Sequence, residues 1–160
     1  MPKKVVSNTT PILSLLKIGR LNLLKELYGC ISVPFAVYQE IESGKDKDYY
    51  VDISKTGWIK IEKIHSKDSK LYFFDLDEGE AEVLILAYEQ QADLVILDEI
   101  VERRYALQMN LNLTGTLGIL LKAKNLGHID KIKPLLYELT NKNSWMNPKL
   151  IAKVIEMAGE

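Results

Sequence analysis

A segment of helical period that runs into a strand-length apolar block limits the folds open to this chain more than any other feature. From Glu78 to Gln90, Ala81, Leu84, Ile85 and Tyr88 recur at helical spacing, and Leu94-Val-Ile-Leu97 then forms an unbroken apolar run ending at Asp98. A continuous rather than alternating apolar run describes a strand covered on both faces, the habit of parallel strands flanked by helices.

The same alternation extends along the chain. Lys4 to Ser7 reads as a short buried strand, followed by a helix from Pro11 to Lys17 with Thr10 at its N-cap and Pro11 at its first position. Gly19 interrupts; a helix from Leu21 to Tyr28, a strand from Ile31 to Val33 and a helix opened by Pro34 and carrying Val37, Glu40 and Ile41 follow. Gly44 to Lys55 reads as a charged loop, Trp58 to Ile61 as a short strand, and His65 to Asp75 has no clear period. Glu99 to Met109 is helical, Leu111 to Leu113 a short strand, Thr116 to Asn125 a helix stopped by Gly127, and further helices fill Lys131 to Leu139 and Pro148 to Ala158. The expectation is an α/β sandwich around a mainly parallel sheet. Residues 1–160 are expected to form a single domain, with the helices of about 130–158 packed on it.

Composition narrows the chemistry. With 160 residues, 47% of them hydrophobic and 27% charged, the chain is of ordinary globular make-up. One cysteine, Cys30, forms no internal disulfide and reads as a core filler, and His65 and His128 lie too far apart in sequence for a standard zinc motif. The longest apolar run, Val83 to Tyr88, is far short of a membrane span, and Met-Pro-Lys-Lys leads to Val5 without the apolar stretch of a secretory signal. A cytoplasmic protein with no membrane partner is expected.

Net charge is −1, but the charges are segregated. Arg103 to Lys153 holds 9 basic residues against 2 acids, while Asp75, Asp77, Glu78, Glu80 and Glu82 crowd into one short segment. Such a division suits a protein that holds a cation and a polyanion together. Tyr49, Tyr50, Tyr72, Phe73 and Phe74 offer faces for stacking bases, with core packing or contact with a second copy as their commoner use.

In parallel α/β folds ligands bind beyond the carboxyl ends of the strands. Asn8 follows Val5-Val6-Ser7 and Asp98 follows Leu94 to Leu97, with Glu99 beside it. Glu40 adjoins the Val37/Ile41 stripe, and Glu80 leaves the first turn of its helix beside Val83 and Leu84, where Asp77-Glu-Gly-Glu80 also has the spacing of a capping box. Each residue alone has an ordinary turn, cap or surface role. Gathered on one rim, they repel one another, and a divalent cation removes the conflict. Oxygen donors without a His/Cys set select Mg²⁺ or Mn²⁺, and carboxylate-held Mg²⁺ is a usual device for activating water against a phosphodiester.

The opening Val5-Val-Ser-Asn-Thr-Thr-Pro-Ile-Leu13, together with Leu76-Asp-Glu-Gly-Glu-Ala-Glu-Val83, Leu94-Val-Ile-Leu-Asp98 followed by Arg103-Arg104, and Thr114-Gly-Thr-Leu-Gly118, resembles the PIN-domain family. The resemblance is to a prokaryotic subfamily related to the toxin nucleases of toxin–antitoxin pairs. It implies an acidic pocket that binds Mg²⁺ or Mn²⁺ and cleaves single-stranded RNA. The family's first acid and two small polar residues fall on Asn8, Thr9 and Thr10, its other acids on Glu40, Glu80 and Asp98, with Glu99 as an accessory. Glu40, Glu80 and Asp98 are thus the implied catalytic acids, and Asn8 departs from the pattern by offering a neutral carbonyl oxygen. The resemblance also implies a three-layer α/β/α sandwich. Thr9, Thr10, Arg103, Thr114 and Thr116 are candidate substrate contacts; the alternatives are an ion pair of Arg103 with Glu99 and an N-cap role for Thr116. Single-stranded RNA is the implied substrate, with an antitoxin-like protein and a second copy of the chain as candidate partners. The rival function is a catalytically silent PIN-like module that binds RNA or protein, and a phosphotransfer domain is disfavoured by the absence of a phosphate loop.

Overall fold

A computed structural model describes residues 2–160. Five strands, β1 (Val5–Ser7), β2 (Ile31–Pro34), β3 (Ile59–Glu62), β4 (Leu94–Ile96) and β5 (Leu113–Thr114), form one sheet in the order β3-β2-β1-β4-β5. Every pairing is parallel, with Val6 opposite Ser32 on one side and Val95 on the other. All three residues of β1 are buried, as the centre of a sheet covered on both faces requires.

The helices are α1 (Thr9–Lys17), α2 (Asn22–Tyr28), α3 (Phe35–Glu42), α4 (Glu78–Glu89), α5 (Ile100–Gln108), α6 (Thr116–Asn125), α7 (Lys133–Asn141) and α8 (Pro148–Met157). α4 lies against β1 and β2 between α3 and α5, while α2 packs with α6 and α8 packs on α6, completing an α/β/α sandwich. α4 is buried from Ala81 through Ala87, including Glu82, which explains why its apolar residues nearly encircle it. Beyond α8 the Glu160 carboxylate accepts from Lys124 Nζ at 2.8 Å and from the backbone N–H of Ile132 at 2.7 Å, tying the last residue to α6 and the start of α7. Among the described residues, no helix is long and apolar enough to cross a membrane.

The boundaries differ from the sequence expectation in instructive places. α1 begins at Thr9, not Pro11, and Asn8 rather than Thr10 occupies its N-cap. Pro11 fits the first turn because the N–H it lacks would have no partner there. The unpatterned stretch before α4 holds a 3₁₀ helix, Lys67–Phe73, and the charged loop holds a shorter one, Ile53–Lys55. The last strand is Leu113–Thr114 rather than Leu111–Leu113.

This topology creates a crevice. The chain runs outward from β1 to β2 and β3, then returns to lay β4 on the other side of β1. The direction of travel reverses between β1 and β4, and their carboxyl ends open into the gap that parallel sheets use for ligands.

Candidate functional site

Asn8 stands at that reversal. Its backbone N–H donates to Ile96 O at 2.9 Å, extending the β1–β4 ladder by one residue, after which the chain turns into α1. The Asn8 side chain does not cap the helix. It is 3% exposed, and its Nδ2 donates to Glu102 Oε2 at 2.8 Å.

Glu102, on α5, is 0% exposed and was not among the residues singled out by sequence. Only Glu102 and Ala106 of α5 are buried, whereas the apolar Ile100, Val101 and Leu107 are exposed. Hydropathy therefore points to the wrong side of this helix. The four-residue spacing from Glu102 to Ala106 marks the inward face only once Ala106 is known to be buried.

Asp98 follows β4 and is engaged on both oxygens: Oδ1 accepts from the Thr116 N–H at 2.8 Å and Oδ2 from Thr116 Oγ1 at 2.7 Å. A side chain from across the sheet thus supplies the cap of α6, whose N-cap position is Gly115; the expected N-cap role of Thr116 does not hold. Arg103 is not paired with Glu99. Its Nη1 donates to Leu97 O at 2.8 Å, beneath Gly115, where a Cβ would lie 2.5 Å from Asp98 Oδ1 and 3.1 Å from Arg103 Nη1. Residue 115 is glycine because carboxylate and guanidinium already occupy that space.

Glu80 completes the capping box that its spacing suggested: its Oε1 accepts from the Asp77 N–H at 3.0 Å and its own N–H donates to Asp77 Oδ1 at 2.8 Å. Glu40 lies over the first turn of α4, so that a Cβ on Gly79 would collide with its Oε1. Glu99 occupies the N-cap position of α5 without a side-chain cap bond and is exposed. Another buried acid, Glu82, which the sequence offered only as part of an acidic run, has a structural job: Oε1 accepts from the Ala36 N–H at 3.2 Å at the start of α3, and Oε2 pairs with Lys70 at 2.9 Å.

The crowding shows in the acid–base balance. Burial pushes Glu102 up to about 9, the carboxylates of Glu80, Asp77 and Glu99 push the same way, and the bond from Asn8 opposes them. Glu40 is raised by burial, and then by Asp77, Glu80 and Glu78, against the pull of the nearby Thr9 hydroxyl. Glu80 is raised by burial and by its neighbours Asp77 and Glu99. Among the described residues three buried side-chain oxygens have no hydrogen-bond partner, and two of them, Glu102 Oε1 and Thr9 Oγ1, belong to this region. Each such group costs about 1–3 kcal/mol.

In charge and donor type these residues suit a divalent cation: hard oxygens, mutual repulsion and unpaired acceptors. The side chains are not gathered into a coordination shell. Among the described residues no group of three His, Cys, Asp or Glu side chains is placed to hold a metal ion. Glu80 and Asp98 are instead turned to the helix ends they cap.

The candidate substrate contacts divide. Thr10 is exposed, Thr9 and Thr116 are buried, Thr114 is half-buried and Arg103 is committed to Leu97. Much of the basic excess is committed too: Lys124 pairs with Glu160, Lys142 with Glu138, and Lys122 lies 4.9 Å from the centre of the Tyr28 ring. Tyr49, Tyr50 and Phe73 pack against the core, whereas Tyr72 and Phe74 are exposed, and Cys30 is half-buried.

A family model described as a PIN domain matches residues 4–160. No match was found among curated proteins. PIN domains are generally nucleases that bind nucleic acid and use divalent metal ions.

Proposed function

The chain belongs to the PIN-domain family, and from that premise we propose that it is an Mg²⁺- or Mn²⁺-dependent endoribonuclease acting on single-stranded RNA. The reading treats residues 1–160 as one PIN-like unit. The observation that carries it is a buried Asn8 bonded to a fully buried Glu102 at the reversal point of a parallel sheet, with Glu40 and Glu80 raised by burial and by neighbouring acids. Asn8 Oδ1, Glu40, Glu80 and Asp98 would hold the cation, with Glu99 at the rim. A bound divalent ion supplies Lewis-acid polarisation of the phosphodiester and lowers the pKa of water. The protein's own residues would confine the site: Asn8 and Asp98 follow the paired strands β1 and β4, and the Asp77–Glu80 box holds the first turn of α4 beneath Glu40. Exposed Thr10, Arg104 and the exposed rings of Tyr72 and Phe74, with the half-buried Thr114, would meet RNA. A toxin role, with an antitoxin-like partner, agrees with the family resemblance.

The second reading, a silent RNA- or protein-binding module, is favoured by the neutral Asn8 and by the absence of a ready-made metal cage. One experiment separates the two. Labelled unstructured RNA is incubated with the protein in Mg²⁺, Mn²⁺ or chelator, beside Asp98→Asn. Cleavage lost with chelator and in the variant supports the nuclease; binding that weakens with salt, with no cleavage in either metal, supports the silent module.

A further inference from the structure

The fully buried Glu102 is left unexplained by the four-residue site. An acid on the inward face of a helix in a parallel α/β sandwich displaces an apolar residue, and nothing basic approaches it to compensate. Its Oε2 takes one bond, from Asn8 Nδ2 at 2.8 Å, and its Oε1 takes none. The Asn8 amide nitrogen faces Glu102, so Asn8 Oδ1 is turned to the other side. The unpaired oxygen therefore lies beside the residue that stands where the family's first acid falls, among the carboxylates of Glu80, Asp77 and Glu99.

We propose that Asn8 and Glu102 act as one unit of the metal site, in which Glu102 supplies from α5 the negative charge that position 8 lacks, with Oε1 as the oxygen offered to a divalent cation. This rests on the reading of the pocket as a metal site. It accounts for three observations together: the neutral side chain at position 8, the hydrogen bond across 94 residues of sequence, and a buried carboxyl oxygen without a partner. A structural role in orienting Asn8 needs only an acceptor and no charge; Gln at position 102 would serve it equally.

That difference sets the test. Mn²⁺ affinity is measured by titration followed by electron paramagnetic resonance of the free ion, with circular dichroism to verify folding, for the parent chain, Glu102→Gln, Asp98→Asn and the exchange variant Asn8→Asp/Glu102→Gln. Glu102→Gln is expected to bind Mn²⁺ at least ~10-fold more weakly, an effect of the size metal-site partners exert. The exchange variant, which returns the charge to position 8, is expected to recover most of that loss. Affinity unchanged in Glu102→Gln but reduced in Asp98→Asn overturns the inference and leaves the metal site standing. Failure of the exchange variant to recover affinity also overturns it, since charge would then not be what Glu102 provides. Should Glu102→Gln fail to fold, the exchange variant measured against Asn8→Asp decides, because equal affinity in those two removes Glu102 from the site. No Mn²⁺ binding by the parent chain removes both the pocket reading and this inference.

Discussion

The two sides of the crevice are built from the same residue type and end in opposite states. At Asp98 every polar atom has a partner: both oxygens are taken by Thr116, and Arg103 runs beneath Gly115 to the Leu97 carbonyl. Around Glu102 the acids crowd without a cation, Glu40 and Glu80 are pushed above their ordinary range, and two buried oxygens lack partners. One corner stabilises the fold, while the other is held in place by the rest of the structure at a cost. Conflict of this kind inside an otherwise consistent sequence is the usual mark of a functional position.

The largest contrast is expected from Asp98→Asn. It removes a charge that anchors α6 and that the proposed function assigns to the metal, so RNA cleavage should fall by more than the ~10- to 100-fold that loss of an outer-shell partner costs. The weakened bonds to Thr116 should lower the Tm by several degrees, at about 2–4 °C per kcal/mol for a chain of this size. Normal cleavage with a lowered Tm would assign Asp98 to the fold alone.

On the crowded side, Asn8→Asp buries a second carboxyl against Glu102, and the two can ionise together only against a repulsion of ~4 kcal/mol for charges ~4 Å apart at an effective dielectric of ~20. The metal-free protein should melt earlier, whereas Mn²⁺ affinity and RNA cleavage should rise. Affinity and cleavage both unchanged would exclude position 8 from the site.

Two glycines sharpen the comparison. Gly115→Ala forces a methyl against Asp98, Arg103 and the Leu97 carbonyl, and should destabilise by about 1–3 kcal/mol in thermal or urea unfolding. Gly79→Ala meets chiefly the mobile end of Glu40 and gains up to ~1 kcal/mol of helix propensity. The Tm should hold or rise while Mn²⁺ affinity falls, as Glu40 is displaced from the first turn of α4.

The crowded side can also be tested through pH dependence. Glu102 is raised in the folded state to about 9, so its contribution is fully present below the unfolded carboxylate value and is lost as pH rises through that figure. Metal-free Tm should therefore decline from about pH 5 towards pH 9, and the slope should be shallower in Glu102→Gln. Equal slopes would place the raised proton affinity elsewhere.

Much of this architecture was legible in the chain. Unbroken apolar runs between helical segments announced parallel strands, because a strand buried on both faces has no polar side to show, and Asn8 and Asp98 followed as the residues where two such runs stop. The Asp77–Glu80 box was equally readable, since its partners are three residues apart and depend only on helix geometry. Local periodicity carries that kind of information.

What periodicity could not carry was decided by contacts distant in sequence. The inward face of α5 is chosen by β5 and α4, so the apolar Ile100, Val101 and Leu107 point outward while Glu102 is buried. Thr116 looked like its own helix cap until the sheet brought Asp98 to it, and Arg103 looked like a partner of Glu99 until the Leu97 carbonyl came within reach. From the sequence alone come the layers of the fold and the strand ends at which Asn8 and Asp98 sit. Which acid is satisfied and which is left in conflict depends on side chains that only the folded packing brings together, because burial and charge repulsion are properties of the assembled site and not of any one segment.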